Sequence, residues 1–327
     1  MVSRRLLGTG VLVLVAALAA TLLAAVLHLT DSSGRAAGHG GTRDRAAGGP
    51  PRAAPLPGRV VDDLGVVSFN ARRTLTPDQA RRDWARLAGR PGVDLVGWQE
   101  AATPMFRDLA SEYGARGWGT WQAPGTGAAA PLAVSWRRDT FALLGARTRM
   151  MHPGASAAVT AAPFPSRWVV TVRLRHRESG RTVSLLNTHV NQTIETGQRF
   201  ERNLNARRAK RHYRTMARMW SRTPGDVVLG TGDYNFDHAD DAAARPAGGL
   251  SRVFEGKAVS SYDSLGLDGV VPTRNTRWID YVWLAADSVR RRTEDGFRGP
   301  AQLAAHRTLD GFESDHRPLL VRVRLYA

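Results

Sequence analysis

Beyond residue 58 the chain switches repeatedly between short apolar runs and stretches in which large apolar side chains recur every three or four positions. The first pattern suits strands and the second amphipathic helices. Val66-Val67-Ser68-Phe69 predicts a strand that ends at Asn70. Thr76-Pro77-Asp78-Gln79 then offers an N-cap, a proline at the first helical position and a glutamine three residues after the cap. Ala80, Trp84 and Leu87 follow at helical spacing, and Gly89 is placed to end that helix. A strand is expected over 93–98, followed by Gln99-Glu100, and a helix from Thr103-Pro104 that buries Phe106, Leu109 and Tyr113. Further strands are expected over 132–136, 141–145, 168–175, 182–188, 227–229, 278–284 and 319–325. A long helix is expected within 198–222. Phe200 and Leu204 point one way and Ala209, Tyr213, Met216 and Trp220 another, which places a break near 203–205. Strands and helices intermix, so the fold class is mixed α/β (α+β), and an all-β fold or a helical bundle is excluded.

The first 58 residues read differently. From Leu6 to Leu29 runs a stretch of 24 residues without Asp, Glu, Lys or Arg. As a helix it would reach roughly 36 Å, against about 30 Å for the hydrocarbon core of a bilayer. Arg4 and Arg5 precede it, which keeps the N-terminus in the cytoplasm and sends the remainder across. Residues 1–29 are therefore expected to be a transmembrane signal anchor or a signal peptide, and length favours the anchor. Residues 30–58 are Gly, Ala, Pro, Ser and Arg with scarcely a large apolar side chain, and read as a disordered linker. Residues 59–327 form the expected catalytic domain, placed outside the cell and held at the cell membrane, or else secreted.

Composition narrows the chemistry. The chain has no cysteine, which excludes disulfides, a thiol nucleophile, iron–sulfur clusters and zinc held by sulfur. Its formal net charge is +17, almost all from arginine, since only Lys210 and Lys257 are lysines. That balance suits polyanionic partners such as nucleic acid or anionic lipid.

The polar residues gather where the predicted strands end. Asn70, Glu100, Asn187-Thr188-His189 and Asp233-Tyr234-Asn235 each follow a strand; Asp280 starts one and Asp315-His316 immediately precedes another. A rigid scaffold supplies a site at one edge of its sheets in this way. Glu100 and Asp315 are hard oxygen donors and Asn70 offers an amide oxygen, a set suited to Mg2+ or Mn2+. Asp233 and Asn235, two apart, face one side of an extended chain, one to accept a proton from water and the other to donate to a phosphoryl oxygen. Asp280 is suited to hold one nitrogen of His316 and fix its tautomer, and His189 to stabilise charge on a pentacovalent phosphorane. Asp237, His238, Asp240 and Asp241 read as a loop run of acids. Ser314 lies in no Gly-x-Ser-x-Gly elbow, so it is not a hydrolase nucleophile.

In order, Ser68-Phe69-Asn70, Trp98-Gln99-Glu100, Asn187-Thr188-His189, Gly232-Asp233-Tyr234-Asn235, Ile279-Asp280-Tyr281 and Ser314-Asp315-His316-Arg317-Pro318 resemble the endonuclease/exonuclease/phosphatase superfamily. The resemblance implies a four-layered sandwich, two packed mixed β-sheets flanked by helices, and metal-dependent hydrolysis of phosphate esters. It implies Asn70, Glu100 and Asp315 as metal ligands, and Asp233 orienting or deprotonating the attacking water. Asn235 would contact phosphate, His189 would stabilise the transition state, and His316 paired with Asp280 would act as acid/base or phosphate clamp. Two positions depart from the pattern: Trp98 stands where a smaller aliphatic residue is usual, and Ala128-Ala129-Ala130 stands where relatives carry a glutamate that partners the histidine at position 189.

The expected function is phosphodiester hydrolysis, of nucleic acid first because the folded part is basic. The alternatives are a phospholipid or small phosphoester hydrolase, which a membrane anchor would favour, and a catalytically inactive surface binding module. Trp118 and Trp121 are candidate base-stacking side chains, with core or loop roles as the competing reading.

Overall fold

The computed structural model describes residues 52–124, 129, 131–161 and 163–327. The expected anchor or signal segment 1–29, most of the linker, and Ala128 and Ala130 lie outside the described residues. Among the described residues no helix is long and apolar enough to cross a membrane.

Numbered in chain order, one six-stranded sheet runs β15 (Ala301–Thr308), β16 (Leu319–Tyr326), β1 (Val60–Asn70), β2 (Leu95–Gln99), β4 (Ala133–Arg137), β3 (Trp118–Gln122). The other runs β11 (Ala258–Ser260), β12 (Asp280–Ala285), β10 (Val227–Asp233), β7 (Thr182–His189), β6 (Arg167–His176), β5 (Phe141–His152). Each sheet has one parallel pair, β1–β2 and β7–β10, and antiparallel pairs elsewhere. Both sheets are therefore mixed. Two small hairpins, β8 (Glu195–Thr196) with β9 (Arg199–Phe200) and β13 (Arg291–Thr293) with β14 (Gly296–Arg298), complete the strands.

The sheets face each other across one core. Leu64, Val66, Leu95, Val134 and Val321 of the first meet Val170, Val172, Leu185 and Leu229 of the second. Helices α1 (Pro77–Ala88) and α2 (Pro104–Gly114) cover the first sheet's outer side, where Trp84 stacks on Trp98 at 4.5 Å. The Trp98 indole N–H is satisfied by Ser135 Oγ at 2.9 Å. The large residue at 98 is thus a core block beneath both helices, and not a perturbation of the neighbouring Glu100. Both helices start as the sequence predicts: Thr76 and Thr103 cap them, the first with the full reciprocal bond to Gln79. Such a cap contributes about 1 kcal/mol.

Helix α3 (Leu204–Trp220) lies on the outside of the second sheet, and the Trp220 ring occupies the space that a Cβ at Gly230 would need. The order helix, sheet, sheet, helix gives the expected four layers. Three short helices, α4 (His238–Ala244), α5 (Leu250–Val253) and α6 (Ser261–Leu265), fill the link from β10 to β12. The expected helix 198–222 is shorter than its pattern. Asn203 accepts from Ala206 N as an N-cap, and the residues before it turn into the β8–β9 hairpin through Gly197 at φ 53°. The predicted break at 203–205 is therefore the helix start.

Residues 52–58, the end of the expected linker, lie along the first sheet. Ala53 N donates to Ala304 O at 2.7 Å, Arg324 reaches Ala53 O, and Leu56 N donates to the Tyr326 hydroxyl. Backbone bonding, which composition does not reveal, orders this segment.

Near one end of the sandwich a polar network joins the sheets. Asn187 on β7 donates to Trp98 O at 2.7 Å and Ala133 O at 3.0 Å, and accepts from Gln99 Nε2 and Thr231 Oγ1. Gly97 permits it, because a Cβ there would lie 1.9 Å from Thr231 Oγ1. Asn187 is fully buried and has all its polar atoms paired, so it fixes how the two sheets register beside the polar rim.

Candidate active site

Strand direction explains why distant residues meet. The parallel pairs bring Asn70 beside Gln99 and His189 beside Asp233 at their C-terminal ends. Strand β12 runs antiparallel to β10, so Asp280 starts opposite Asp233. Strand β16 runs antiparallel to β1, so the residues before Leu319 come to the same rim. By the same rule β6, antiparallel to β7, begins there with Arg167.

Asp233 is the hub. Its Oδ2 accepts from Asn70 Nδ2 at 3.1 Å and lies 3.3 Å from His189 Nε2 and 3.9 Å from His316 Nε2. Its Oδ1 accepts from Asn235 N at 2.9 Å. Burial would push this carboxyl up, but the charge and hydrogen bond of His189, with His316 and Asn70, outweigh it and hold Asp233 far below the usual carboxylate range. Asp233 is an anion, built to orient a proton donor.

His316 Nδ1 bonds Asp280 Oδ2 at 2.8 Å, both groups being buried. Desolvation opposes charge on the imidazole, yet Asp280 and then Asp233 override it and raise His316 to about 9. His316 is therefore a cation at neutral pH, its Nε2 aimed at Asp233. Asn235 sits at φ 54° in the left-handed region and spends one amide hydrogen on Val190 O at 3.0 Å. The other remains to reach a ligand.

The first sheet supplies a more open group. Asn70 Oδ1 accepts from Arg72 N, and Glu100 accepts from Arg73 N, each at 3.1 Å. Ser314 Oγ donates to Asn70 O at 2.7 Å, which ties the loop bearing Asp315 to the end of β1. Asp315 pairs with Arg274 at 3.0 Å and with Arg72 at 3.9 Å. Glu100 and Arg72 both have positive φ, 58° and 47°. Left-handed backbone at non-glycine residues costs of order 1 kcal/mol or more and persists where surrounding structure enforces it. Two carboxylates and an amide oxygen gathered around the Arg72–Arg73 turn are hard oxygen donors, the chemistry that divalent cations take. Separately, Asp233, Asp280 and His316 each offer a ligand atom within 4.8 Å of one another, a buried grouping that would take a metal ion only with His316 neutral.

All eight residues singled out from the sequence thus lie along this rim: Asn70, His189, Asn235 and His316 converge on Asp233, Asp280 backs His316, and Glu100 and Asp315 are tethered through Arg72–Arg73. Sequence reasoning missed four others. Arg167, half-buried, is pulled down by desolvation while Asp233 and Glu100 favour its charge. It lines a cleft of about 610 Å³ together with Arg73, Glu100, Thr103, His189 and Gln192. Strand antiparallelism was the signal that could have found it. Glu195 and Arg277 form an ion pair behind the Asn235 turn: Glu195 accepts from Asp237 N, and Arg277 donates to Asn235 O at 3.2 Å. Arg274 on Asp315 is the fourth. Trp118 is core, 3% exposed, and Trp121 packs against the inter-sheet core, so neither is a free stacking platform. Asp237 and Asp241 are spent on Trp278 N and on Ser251; the expected loop run is in fact the start of helix α4, with Asp237 at its N-cap position.

No protein-family model matches the sequence, and no curated protein matches it. Solved structures do match. A Bacteroides vulgatus endonuclease/exonuclease/phosphatase is 16% identical with a TM-score of 0.58, covering 81% of this chain and 99% of its own. D. rerio TDP2 complexed with a single-strand DNA product is 15% identical at TM-score 0.58, covering 80% and 99%. ANGEL2, a 2',3'-cyclic phosphatase, is 14% identical at TM-score 0.56, covering 80% and 95%. The chain has the fold of the endonuclease/exonuclease/phosphatase proteins.

Proposed function

We propose that the chain is a divalent-metal-dependent phosphoesterase that hydrolyses phosphodiester bonds, those of nucleic acid first, on the outer side of a membrane. The observation that carries the reading is the meeting of Asn70, His189, Asn235 and His316 on one ionised carboxylate, Asp233, with Asp280 behind His316. Such a group sets a fixed anion and a fixed cation at one rim, a preorganised field suited to align water and stabilise the charge that develops on phosphorus.

Asp233 accepts a hydrogen bond from the attacking water and aligns it. His316, protonated at neutral pH, donates from Nε2 to a phosphoryl or leaving oxygen, and Asp280 keeps that proton on the ring. His189, beside Asp233, and the second amide hydrogen of Asn235 stabilise the added negative charge. Asn70, Glu100 and Asp315 would hold Mg2+ or Mn2+, which supplies charge neutralisation at the phosphate when bound. His189 lacks the acidic partner expected of relatives; its Nδ1 is buried without a hydrogen-bond partner among the described residues. Its role is thus fixed from one side only, through Asp233.

A nucleic-acid substrate is supported by the +17 charge and by Arg73 and Arg167 in the cleft. It is supported too by the DNA product held by D. rerio TDP2. A small phosphoester is the second reading, favoured by the likeness to a 2',3'-cyclic phosphatase. The test is turnover by the purified chain with Mg2+ or Mn2+ against single-stranded DNA, RNA, cyclic nucleotide ends and phospholipid dispersions. Hydrolysis that survives Asp233→Asn unchanged would overturn the assignment.

A further inference from the structure

Outside the cleft, the outer face of the first sheet carries a second concentration of charge. Arg322 lies between the core-facing Val321 and Val323, so it projects outward, and its register partner is Ala305. Arg307 pairs with Leu320 on the same face, and Arg52 bridges to Ala305 along the edge. Arg52, Pro91, Ala305, Arg307, Leu320 and Arg322 line a cavity of about 240 Å³. Arg90, just past α1, joins them: burial and then the charges of Arg90, Arg322 and Arg52 push the Arg307 guanidinium down.

These cations are poorly answered from within. Arg322 is committed, to Gly92 O at 2.5 Å and to Asp63 at 3.5 Å. Among the described residues, Arg52, Arg90 and Arg307 have no ion pair and no side-chain hydrogen bond, and Arg90 Nε is buried without a partner. Like charges gathered around a hollow repel each other unless an anion enters.

We propose that this arginine cluster docks anionic phospholipid headgroups and turns the β15–β16 face of the domain toward a membrane. Three observations select lipid. Arg52 bridges to Ala305, so the segment leading in from the N-terminal part of the chain lies on this very surface. Upstream of it in the sequence, 23 positions earlier, ends the charge-free run Leu6–Leu29 that reads as a membrane segment. The cavity shares no lining residue with the cleft at Glu100 and His189, whereas a nucleic acid under hydrolysis would be gripped along a path continuous with that cleft. Clustered basic groups at a membrane surface attract anionic lipid headgroups.

The inference does not depend on the phosphoesterase reading, because its test reads position and not turnover. The chain has no cysteine, so Pro91→Cys places one environment-sensitive label at the lip of the cavity. Val159→Cys, 66% exposed on the second sheet's side, is the control. The full chain is reconstituted into vesicles of phosphatidylcholine alone or with one third phosphatidylglycerol, each containing brominated lipid. Quenching of the Pro91→Cys label should be about threefold stronger with phosphatidylglycerol and fall to the control level in Arg52→Glu/Arg307→Glu, two exposed positions. High salt on the unreversed protein should do the same without any risk to folding. Equal quenching in both lipids, or quenching indifferent to charge reversal and salt, would overturn the proposal. So would unchanged quenching alongside an about tenfold loss of oligonucleotide affinity in the double variant, which would make the cluster a nucleic-acid site.

Discussion

The two halves of the rim are built in opposite ways. The half given by the second sheet is closed: His189, Asp233, Asn235 and Asp280 are all below 8% exposed, and His189 and Asn235 turn inward onto Asp233. The half given by the first sheet is open: Asp315 has 37% of its side chain exposed and is held by arginines that are themselves in contact with water. Asn70 and His316, from the first sheet, cross over and lock onto the carboxylates of the second. Burial makes the closed half a fixed field, strong because water is absent. Exposure makes the open half exchangeable, which suits a cation and a substrate that must come and go.

If that division is right, Asp233→Asn is the most damaging single change. It should lower turnover by about a thousandfold or more at any metal concentration, with the fold intact by circular dichroism, because it removes the fixed anion on which four groups converge. Glu100→Gln should behave differently. Its loss should be partly recovered by raising Mg2+ or Mn2+, since ligand changes commonly weaken metal binding by about 10–100-fold. Equal recovery of both variants by added metal would erase the distinction. Chelator should silence the wild type reversibly on the same argument.

His316 sharpens it further. With His316 at about 9, activity should hold through neutral pH and fall as pH rises through that value. Its raised value also means that stability from the Asp280–His316 pair is full below about 6.5, the unfolded imidazole value, and is lost as pH rises through the folded one. Asp280→Asn should move the alkaline limb of the rate profile down and cost about a hundredfold in rate. A limb that stays put would show that another group sets it. Arg274→Ala, which frees Asp315 from one competing cation, should lower the metal concentration for half-maximal rate by a few-fold.

Much of this was legible because strand ends punctuate the sequence. Asn70 and Glu100 close apolar runs, and their parallel pairing makes them neighbours. Capping at Thr76 and Thr103 is local chemistry and was read correctly. What failed depends on distant partners. Strand β15, Ala301–Thr308, has three alanines and no β-branched residue before Thr308, so nothing local marks it; pairing with β16 makes it a strand. Asn187 lay inside a recognised motif, yet its work as a bolt between sheets depends on Gly97, ninety positions away in the chain's order and adjacent only in space. Arg167 and the Glu195–Arg277 pair escaped for the same reason: an arginine in an arginine-rich chain carries no signal until its surroundings are known.

The smallest effect should come from Glu195, and it tests whether the closed half is held from behind. Burial raises its carboxyl to about 7, an effect that Arg277 and Asp237 N only partly offset. The folded protein therefore binds a proton here that the unfolded chain, near 4.5, does not. Stability should decline as pH rises from about 4.5 to about 7 and then level, by at most about 3 kcal/mol. Glu195→Gln keeps an acceptor for Asp237 N and Arg277 but cannot ionise, so its melting temperature should lose this slope while turnover at neutral pH changes only a few-fold. Because Arg277 also reaches Asn235 O, Arg277→Ala should do the reverse: little change in the slope of stability with pH, but a clear loss of turnover as the left-handed turn at Asn235 loosens. If both variants altered turnover alike, the ion pair would be part of the site itself and not its support.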